Sequence, residues 1–212
     1  MARRSATRDS RMRERLVREA ARIMADEGLH DFYLAKRKAA ARLGAPSTGN
    51  LPQNREIQEA LAEYQRLFGG DEQAANVRRL REAALEAMEF FARFRPRLVG
   101  SVLDGTADER SEVNLHLFAD TPDEVAVFLM ESDIPYDTEE RRYRFGREEY
   151  GFVPVYRFVA GGVRMDLAVF ATRWVSHPPR SRVDGQPVRR AGPEEVRQLI
   201  SAELSNRTPE VP

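Results

Sequence analysis

The stretch LVGSVLDGTADERSEVNLHLF, residues 98–118, decides the fold of this 212-residue chain. Its second half alternates apolar Val113, Leu115 and Leu117 with polar residues, which is the pattern of a strand with one buried face. Its first half predicts a short strand over residues 97–103. We therefore expect the chain to change from helix to sheet near residue 95.

Before this stretch the apolar residues recur with helical spacing. Asp31 and Asn54 are suitable caps for two of the helices, and Gly28 and Gly44 are suitable stops. The predicted helices span residues 9–27, 31–43, 54–68 and 71–94. Between the second and third helices, the segment APSTGNLPQN contains two prolines and predicts a loop.

After this stretch the pattern predicts one helix on a sheet of several strands. Thr121 and Glu124 form a capping box for the helix. The predicted strands are RRYRFG, FVPVYRFVA and VRMDLAVFA, and Gly161-Gly162 forms a two-residue hairpin turn between the last two. Counting outward from that turn places Arg157 opposite Asp166.

The fold class that follows is α+β. We expect an N-terminal helical region over residues 1–94 and a mixed or largely antiparallel sheet domain over residues 95–174, with helices on one face. Beyond Trp174 the Pro- and Arg-rich segment HPPRSRVDGQPVRRAG predicts an extended arm. A final helix begins at Pro193, so arm and helix fill residues 175–212.

Composition excludes several classes of function. The 34 Lys and Arg residues equal the 34 Asp and Glu residues, so net charge indicates neither a nucleic-acid nor a membrane partner. Cysteine is absent, which excludes disulfides, thiolate zinc sites and cysteine nucleophiles. No apolar run approaches the length of a membrane helix. The expected location is the cytoplasm, and the preference for Arg over Lys is typical of a GC-rich bacterial gene.

Three polar positions have the spacing of a two-cation site. Such a site uses carboxylates at alternate positions of one strand and a third carboxylate on a neighbouring strand. Glu112 and Asn114 alternate on one predicted strand, and Asp166 lies inside a later one. A turn at Gly100-Ser101 precedes them and would let the backbone approach a phosphate. We expect Glu112, Asn114 and Asp166 to share one sheet face, with the turn at its edge.

The segments VGS, SEVNLHLF and RMDLAVF resemble the Gly-Ser, Asp-x-Asp and third-Asp elements of the polymerase-beta-like nucleotidyltransferase superfamily. The resemblance covers roughly residues 95–172. It implies that Gly100 and Ser101 bind phosphate and that Glu112, Asn114 and Asp166 occupy the catalytic positions. It also implies Mg²⁺ or Mn²⁺ as cofactor, held by Glu112 and Asp166.

The acidic motif departs from that superfamily at two positions. Glu112 stands for the first Asp, and Asn114 stands for the second and supplies no charge. With two carboxylates, we expect at most one weakly bound divalent ion. His116, on the same strand face, is either a replacement metal ligand or a hydrogen-bonded or exposed histidine. Asp166 also has an alternative as an exposed cross-strand partner of Arg157, in which case its loss would cost no more than about 1 kcal/mol.

Two basic segments suggest further contacts. The arm carries Arg180, Arg182, Arg189 and Arg190, which either bind phosphate, as we expect for Arg180 and Arg182, or pair with acidic helices. The first 45 residues hold twelve Lys or Arg against six Asp or Glu and resemble the start of a TetR-type helix-turn-helix. A DNA-binding protein would use Arg18, Lys36 and Arg37. The prolines after Gly44 favour a helical platform with a solvated surface instead.

The function expected from these features is nucleotidyltransferase-like. The chain would bind a nucleoside triphosphate or nucleic-acid phosphate, and it either transfers a nucleotidyl group with divergent metal chemistry or binds without turnover. The alternatives are an inactive scaffold of the same fold and a DNA-binding regulator. The sequence leaves open whether the chain forms a homo-oligomer.

Overall fold

The computed structural model describes residues 2–29, 31–45, 51–68, 70–146 and 148–205. The chain divides into two compact units, residues 1–74 and 75–212, and the division falls inside the fourth helix. The described residues form an α+β protein with helices first, a mixed sheet next and a helix last, as predicted. None of the helices in this part of the chain offers an apolar stretch that could span a bilayer.

The first unit contains helices α1 (Ala2–Glu27), α2 (Phe32–Arg42) and α3 (Asn54–Phe68). All three were predicted, although α1 begins earlier than expected. The Asp31 carboxylate caps α2 by accepting a hydrogen bond from the backbone N–H of Leu34 at 2.9 Å. The three helices bury a small apolar core of their own. Residues 46–50 of the predicted loop lie outside the described residues.

Much of the positive charge of the first unit is paired within it. Lys38 contacts Glu27, and Arg42 contacts both Glu27 and Glu19. Arg13 donates two hydrogen bonds to Glu56, at 2.9 and 2.7 Å. The residues predicted to contact DNA, Arg18, Lys36 and Arg37, are not among these pairs, so the choice between a DNA-binding surface and a helical platform stays a prediction.

The second unit builds one five-stranded sheet in the order β1-β2-β5-β4-β3. The β2–β5 pair is parallel and the other pairs are antiparallel, so the sheet is mixed as predicted. Its elements, including the helix that begins just before residue 75, are α4 (Gly70–Phe90), a 3₁₀ turn (Ala92–Phe94), β1 (Arg97–Val99), α5 (Ser101–Asp104), β2 (Val113–Ala119), α6 (Asp123–Glu131), β3 (Asp137–Arg144), β4 (Tyr150–Ala160), β5 (Val163–Ala171) and α7 (Pro193–Ser205).

The β4–β5 hairpin has the register counted from its turn. Gly161 and Gly162 both have positive φ, 56° and 77°, as a tight two-residue turn between twisted strands requires. Arg157 therefore faces Asp166 across the strands, which confirms the predicted pairing.

The prediction of a strand over residues 97–103 is wrong beyond residue 99. Gly100 has φ 75° and ψ −157°, a conformation that is almost restricted to glycine, and it turns the chain out of β1. Residues 101–104 then form the single-turn helix α5.

The two faces of the sheet are covered differently. One face carries Leu115, Leu117 and Leu167 and packs against α4, α6 and α7 to form the main core. Strand β2 was expected to be half-buried, with its polar face open to solvent, yet His116 and Phe118 are almost fully buried on that face. An aromatic cluster that includes Phe170 and Trp174 covers it. The alternation of β2 was predicted correctly, and the exposure of its second face was not.

The predicted arm contacts both edges of the sheet. At one edge, Leu98 and Ala191 exchange backbone hydrogen bonds of 2.9 and 3.0 Å. At the other edge, the backbone N–H of Arg180 donates to the carbonyl of Arg144 at 2.6 Å. The arm thus extends the hydrogen bonding of β1 and β3, and it brings Arg190 next to β1.

Candidate functional site

The candidate site begins at the turn between β1 and α5. Gly100 lies close to Asn114, so a Cβ atom added to it would stand 3.8 Å from Nδ2 of Asn114. Ser101 opens α5 and is half-buried. Within the described residues, the Ser101 hydroxyl makes no hydrogen bond, so it is available to a ligand.

Asn114 and Asp166 lie side by side. They are register partners in the parallel β2–β5 pair, so their side chains project from the same face of the sheet. Glu112 immediately precedes β2, and its carboxylate contacts Arg164, which precedes Asp166 by two residues on that face. The expected juxtaposition of these three positions beside Gly100-Ser101 is therefore present, on the face opposite the helices.

Asp166 is the centre of an ion-pair network. Arg141 donates to both of its carboxylate oxygens, at 2.9 and 2.7 Å, and Nε of Arg157 donates at 3.0 Å. Glu139 contacts both arginines. Only 2% of Asp166 is exposed, so the alternative of an exposed cross-strand partner does not apply, and Asp166 is buried within a network. The hydrogen bonds from Arg141 to Asp166 raise the pKa of Arg141 above its ordinary value, and this effect outweighs burial, which lowers that pKa.

This network does not fit a pair of divalent cations. Both oxygens of Asp166 already accept hydrogen bonds from guanidinium groups, and Glu112 faces Arg164 at 3.4 Å. Asn114 donates its Nδ2 to the backbone carbonyl of Glu112 at 3.0 Å, which leaves only a neutral amide oxygen. Among the described residues, no three His, Asp or Glu side chains are grouped to hold a metal ion. The assignment of Glu112, Asp166 and His116 as metal ligands stays a prediction.

No family model and no curated protein matches the chain. The resemblance of residues 95–172 to nucleotidyltransferases therefore stays a prediction, based on its motifs.

His116 has the hydrogen-bonded role that was one of its predicted alternatives. Its Nδ1 accepts a hydrogen bond from Nε of Arg190 at 3.0 Å, so the neutral ring carries its proton on Nε2. The imidazole packs against Phe170, with ring centroids 4.5 Å apart. Burial, followed by the nearby charges of Arg190 and Arg141, holds the pKa of His116 well below its ordinary value.

Arg190 is the arginine of the arm that enters the second face. Its guanidinium lies 4.9 Å from the centroid of the Phe118 ring and 5.3 Å from that of Phe170. Nη1 donates to the backbone carbonyls of Trp174 and Val175, at 2.9 and 3.2 Å. Burial, aided by the positive charge of Arg97, lowers the pKa of Arg190 to about 10.

The other arginines of the arm make contacts of their own. Arg189 pairs with Glu195 of α7 at 2.7 Å, which is the predicted alternative of a salt bridge to an acidic helix. Arg182 donates to the backbone carbonyl of Arg142 at 2.9 Å, and Arg180 is exposed. A phosphate-binding role for Arg180 and Arg182 stays a prediction.

Sequence reasoning missed Arg141, the strongest partner of Asp166. The predicted strand RRYRFG began at residue 141, whereas β3 begins at Asp137. With the longer strand, Glu139, Arg141 and Tyr143 alternate onto one face and point toward Asp166. The signal was in TEERRYR, where alternate positions pair an acid with a base, Glu139 with Arg141 and Glu140 with Arg142, which continues the strand pattern upstream.

We expect acid to destabilise the protein through His116. In the unfolded chain His116 gains a proton as the pH falls through about 6.5, whereas the folded state resists protonation because its pKa is lowered. The contribution of neutral His116 to the free energy of unfolding is therefore fully present above pH 6.5 and is lost progressively as the pH falls below it. Between pH 7 and 5 the wild type should lose up to about 2 kcal/mol more stability than His116→Gln, which keeps an acceptor for Arg190. Urea unfolding at several pH values measures this, and parallel pH profiles would contradict it.

Proposed function

We propose that this chain is a cytoplasmic nucleotidyltransferase-like protein that binds a nucleoside triphosphate or nucleic-acid phosphate without two-metal nucleotidyl transfer. The observation that carries the proposal is the pairing of Asn114 with Asp166 on parallel strands, beside the Gly100-Ser101 turn. This juxtaposition is the one that the resemblance implies.

The state of Asp166 supports binding over transfer. Two-metal transfer needs carboxylate oxygens that are free to bind cations. Here Arg141 and Arg157 hold the Asp166 carboxylate, and Asn114 replaces a second acid. In this proposal Arg141 and Arg157 take the place of cations, because guanidinium groups suit phosphate oxygens.

Each residue has a defined part in this proposal. The Ser101 hydroxyl donates to a phosphate oxygen, and Gly100 lets the ligand approach the backbone closely. The Asn114 amide oxygen accepts a hydrogen bond from the sugar or base of the ligand. Asp166 acts indirectly, because it holds Arg141 and Arg157 in position.

Isothermal titration calorimetry with the four nucleoside triphosphates, with and without Mg²⁺ or Mn²⁺, tests the proposal. We expect binding whose affinity changes by less than about threefold when the cation is removed. Ser101→Ala should weaken it severalfold, and the same change at exposed Ser176 should not. The absence of heat with all four triphosphates and with a short oligonucleotide would contradict the proposal, and so would release of pyrophosphate.

The variant Asn114→Asp separates a decayed metal site from a structural one. Mn²⁺ is titrated into the wild type and the variant. If Glu112 and Asp166 can be released to a cation, the added carboxylate should tighten Mn²⁺ binding, which would favour transfer chemistry. If the arginines hold Asp166 permanently, neither protein should bind Mn²⁺ measurably, which is the result we expect.

A further inference from the structure

Arg190 differs from the other enclosed arginines of the second unit. Arg81 pairs with Glu203, and Arg141 pairs with Asp166 and Glu139. In the described residues no carboxylate lies within ion-pair distance of Arg190, and its hydrogen bonds go to neutral acceptors. Its Nη2 atom is buried and has no hydrogen-bond partner there. Arg190 as a whole is half-buried, but its Nη2 donor is shut off from water. A buried donor of a cation that has neither an acceptor nor a counter-charge is costly, so this side of the guanidinium suits an anion.

A second cation stands beside it. Arg97 on β1 is the register partner of His116, so the two side chains lie on the same face of the sheet. Nη1 of Arg97 lies 3.5 Å from where a Cβ on Gly192 would stand, and Gly192 is two residues from Arg190. Nη1 of Arg97 donates to the backbone carbonyl of Pro96 at 3.1 Å. Arg97 forms no salt bridge in the described part of the chain. Between the two arginines lies neutral His116, which adds no negative charge.

We propose that Arg190 and Arg97 form an anion site on the second face of the sheet, which takes a phosphate group. The inference deepens the proposed function and rests on it for phosphate rather than carboxylate as the anion. It places the phosphate next to His116, one step along β2 from Asn114. A bound phosphate oxygen would accept from Nη2 of Arg190, and a second oxygen would accept from Arg97.

Binding at this site must disturb the arm. Nη2 of Arg190 is shut off from solvent, so an anion can reach it only if residues near Trp174 and Val175 shift. Trp174 is the single tryptophan of the chain, and its carbonyl accepts from Arg190. Its ring stacks on Phe145 with centroids 4.0 Å apart. Tryptophan fluorescence therefore reports on this site without any label.

Titration of the full chain with inorganic pyrophosphate, and separately with ATP, tests the inference, with calorimetry and Trp174 fluorescence as readouts. We expect saturable binding of both, accompanied by a change in Trp174 emission. Arg97→Gln and Arg190→Gln should each weaken pyrophosphate binding at least about tenfold. Arg189→Gln, which removes the same charge from the neighbouring residue, should bind pyrophosphate with an affinity within about twofold of that of the wild type.

The outcomes separate this inference from the proposed function. If Arg190→Gln does not fold, the pyrophosphate affinity of Arg97→Gln alone decides whether the anion site exists. ATP binding that is unaffected by both changes and leaves Trp174 emission constant would overturn the anion site and leave the proposed function standing. Pyrophosphate binding that depends on both arginines, together with no preference for ATP over sulfate, would support the site and overturn a nucleotide as its ligand. No binding of pyrophosphate at millimolar concentration would overturn the site.

Discussion

Replacing Asp166 by asparagine is expected to lower the free energy of unfolding by about 3 kcal/mol. The substitution keeps the shape of the side chain but removes the charge that Arg141 and Arg157 share. This value is at the lower end of the usual cost of removing one partner of a buried ion pair, because 23% of the Arg141 side chain and 44% of the Arg157 side chain are exposed to solvent. Urea unfolding at pH 7 measures it.

Glu112→Gln is the matched control for Asp166→Asn. Glu112 also faces an arginine, Arg164, but both side chains are partly exposed and 3.4 Å apart. Its loss should cost less than about 1 kcal/mol. A loss below 1 kcal/mol for Asp166→Asn as well would mean that Arg141 and Arg157 do not hold the carboxylate in solution, and it would restore Asp166 as a candidate metal ligand.

Replacing Arg81 by methionine should also destabilise the second unit, by about 2–4 kcal/mol. Arg81 is 6% exposed and donates to the carbonyls of Val102 and Leu103, at 3.0 and 2.9 Å, and to the carboxylate of Glu203. Its loss leaves two carbonyls and a half-buried carboxylate without their donor. Thermal and chemical unfolding should both report the loss.

Arg78→Met provides the comparison on the same helix. Arg78 pairs with Glu82 one turn away on an exposed surface, so its loss should cost about 0.5 kcal/mol or less. Equal effects of the two substitutions would show that the buried contacts of Arg81 contribute little. The double variant Arg81→Met with Glu203→Gln should cost less than the sum of the two single changes, because the partners share one interaction.

The elements of the fold were predictable because their signals are local. Apolar spacing defined the helices, and Asp31 marked the start of α2. Alternation defined β2, and the Gly161-Gly162 turn fixed the β4–β5 register and hence the Arg157–Asp166 pair. The end of β1 was missed because a glycine in a sequence permits the conformation that Gly100 adopts but does not require it.

The state of the candidate site was less predictable because it depends on residues that are distant in the chain. Asp166 was correctly placed beside Asn114, but its burial follows from Arg141 on β3. His116 is buried by Phe170 and by Arg190, which the arm delivers from far along the sequence. Alternation gives the face on which a side chain lies, whereas the residues that cover that face depend on tertiary packing.

The order of the strands also affects when the sheet can form during synthesis. The central parallel pair joins Val113 to Met165, so β2 leaves the ribosome well before its partner β5 exists. The outer edge of β1 stays without its backbone hydrogen-bond partner for longer still, until Ala191 has been synthesised. A nascent chain therefore carries open strand edges from the synthesis of β1 until residue 191 has emerged, and such edges can pair with other chains. The nascent chain is thus most exposed to aggregation before the arm has emerged, and shielding by chaperones would matter most in that interval.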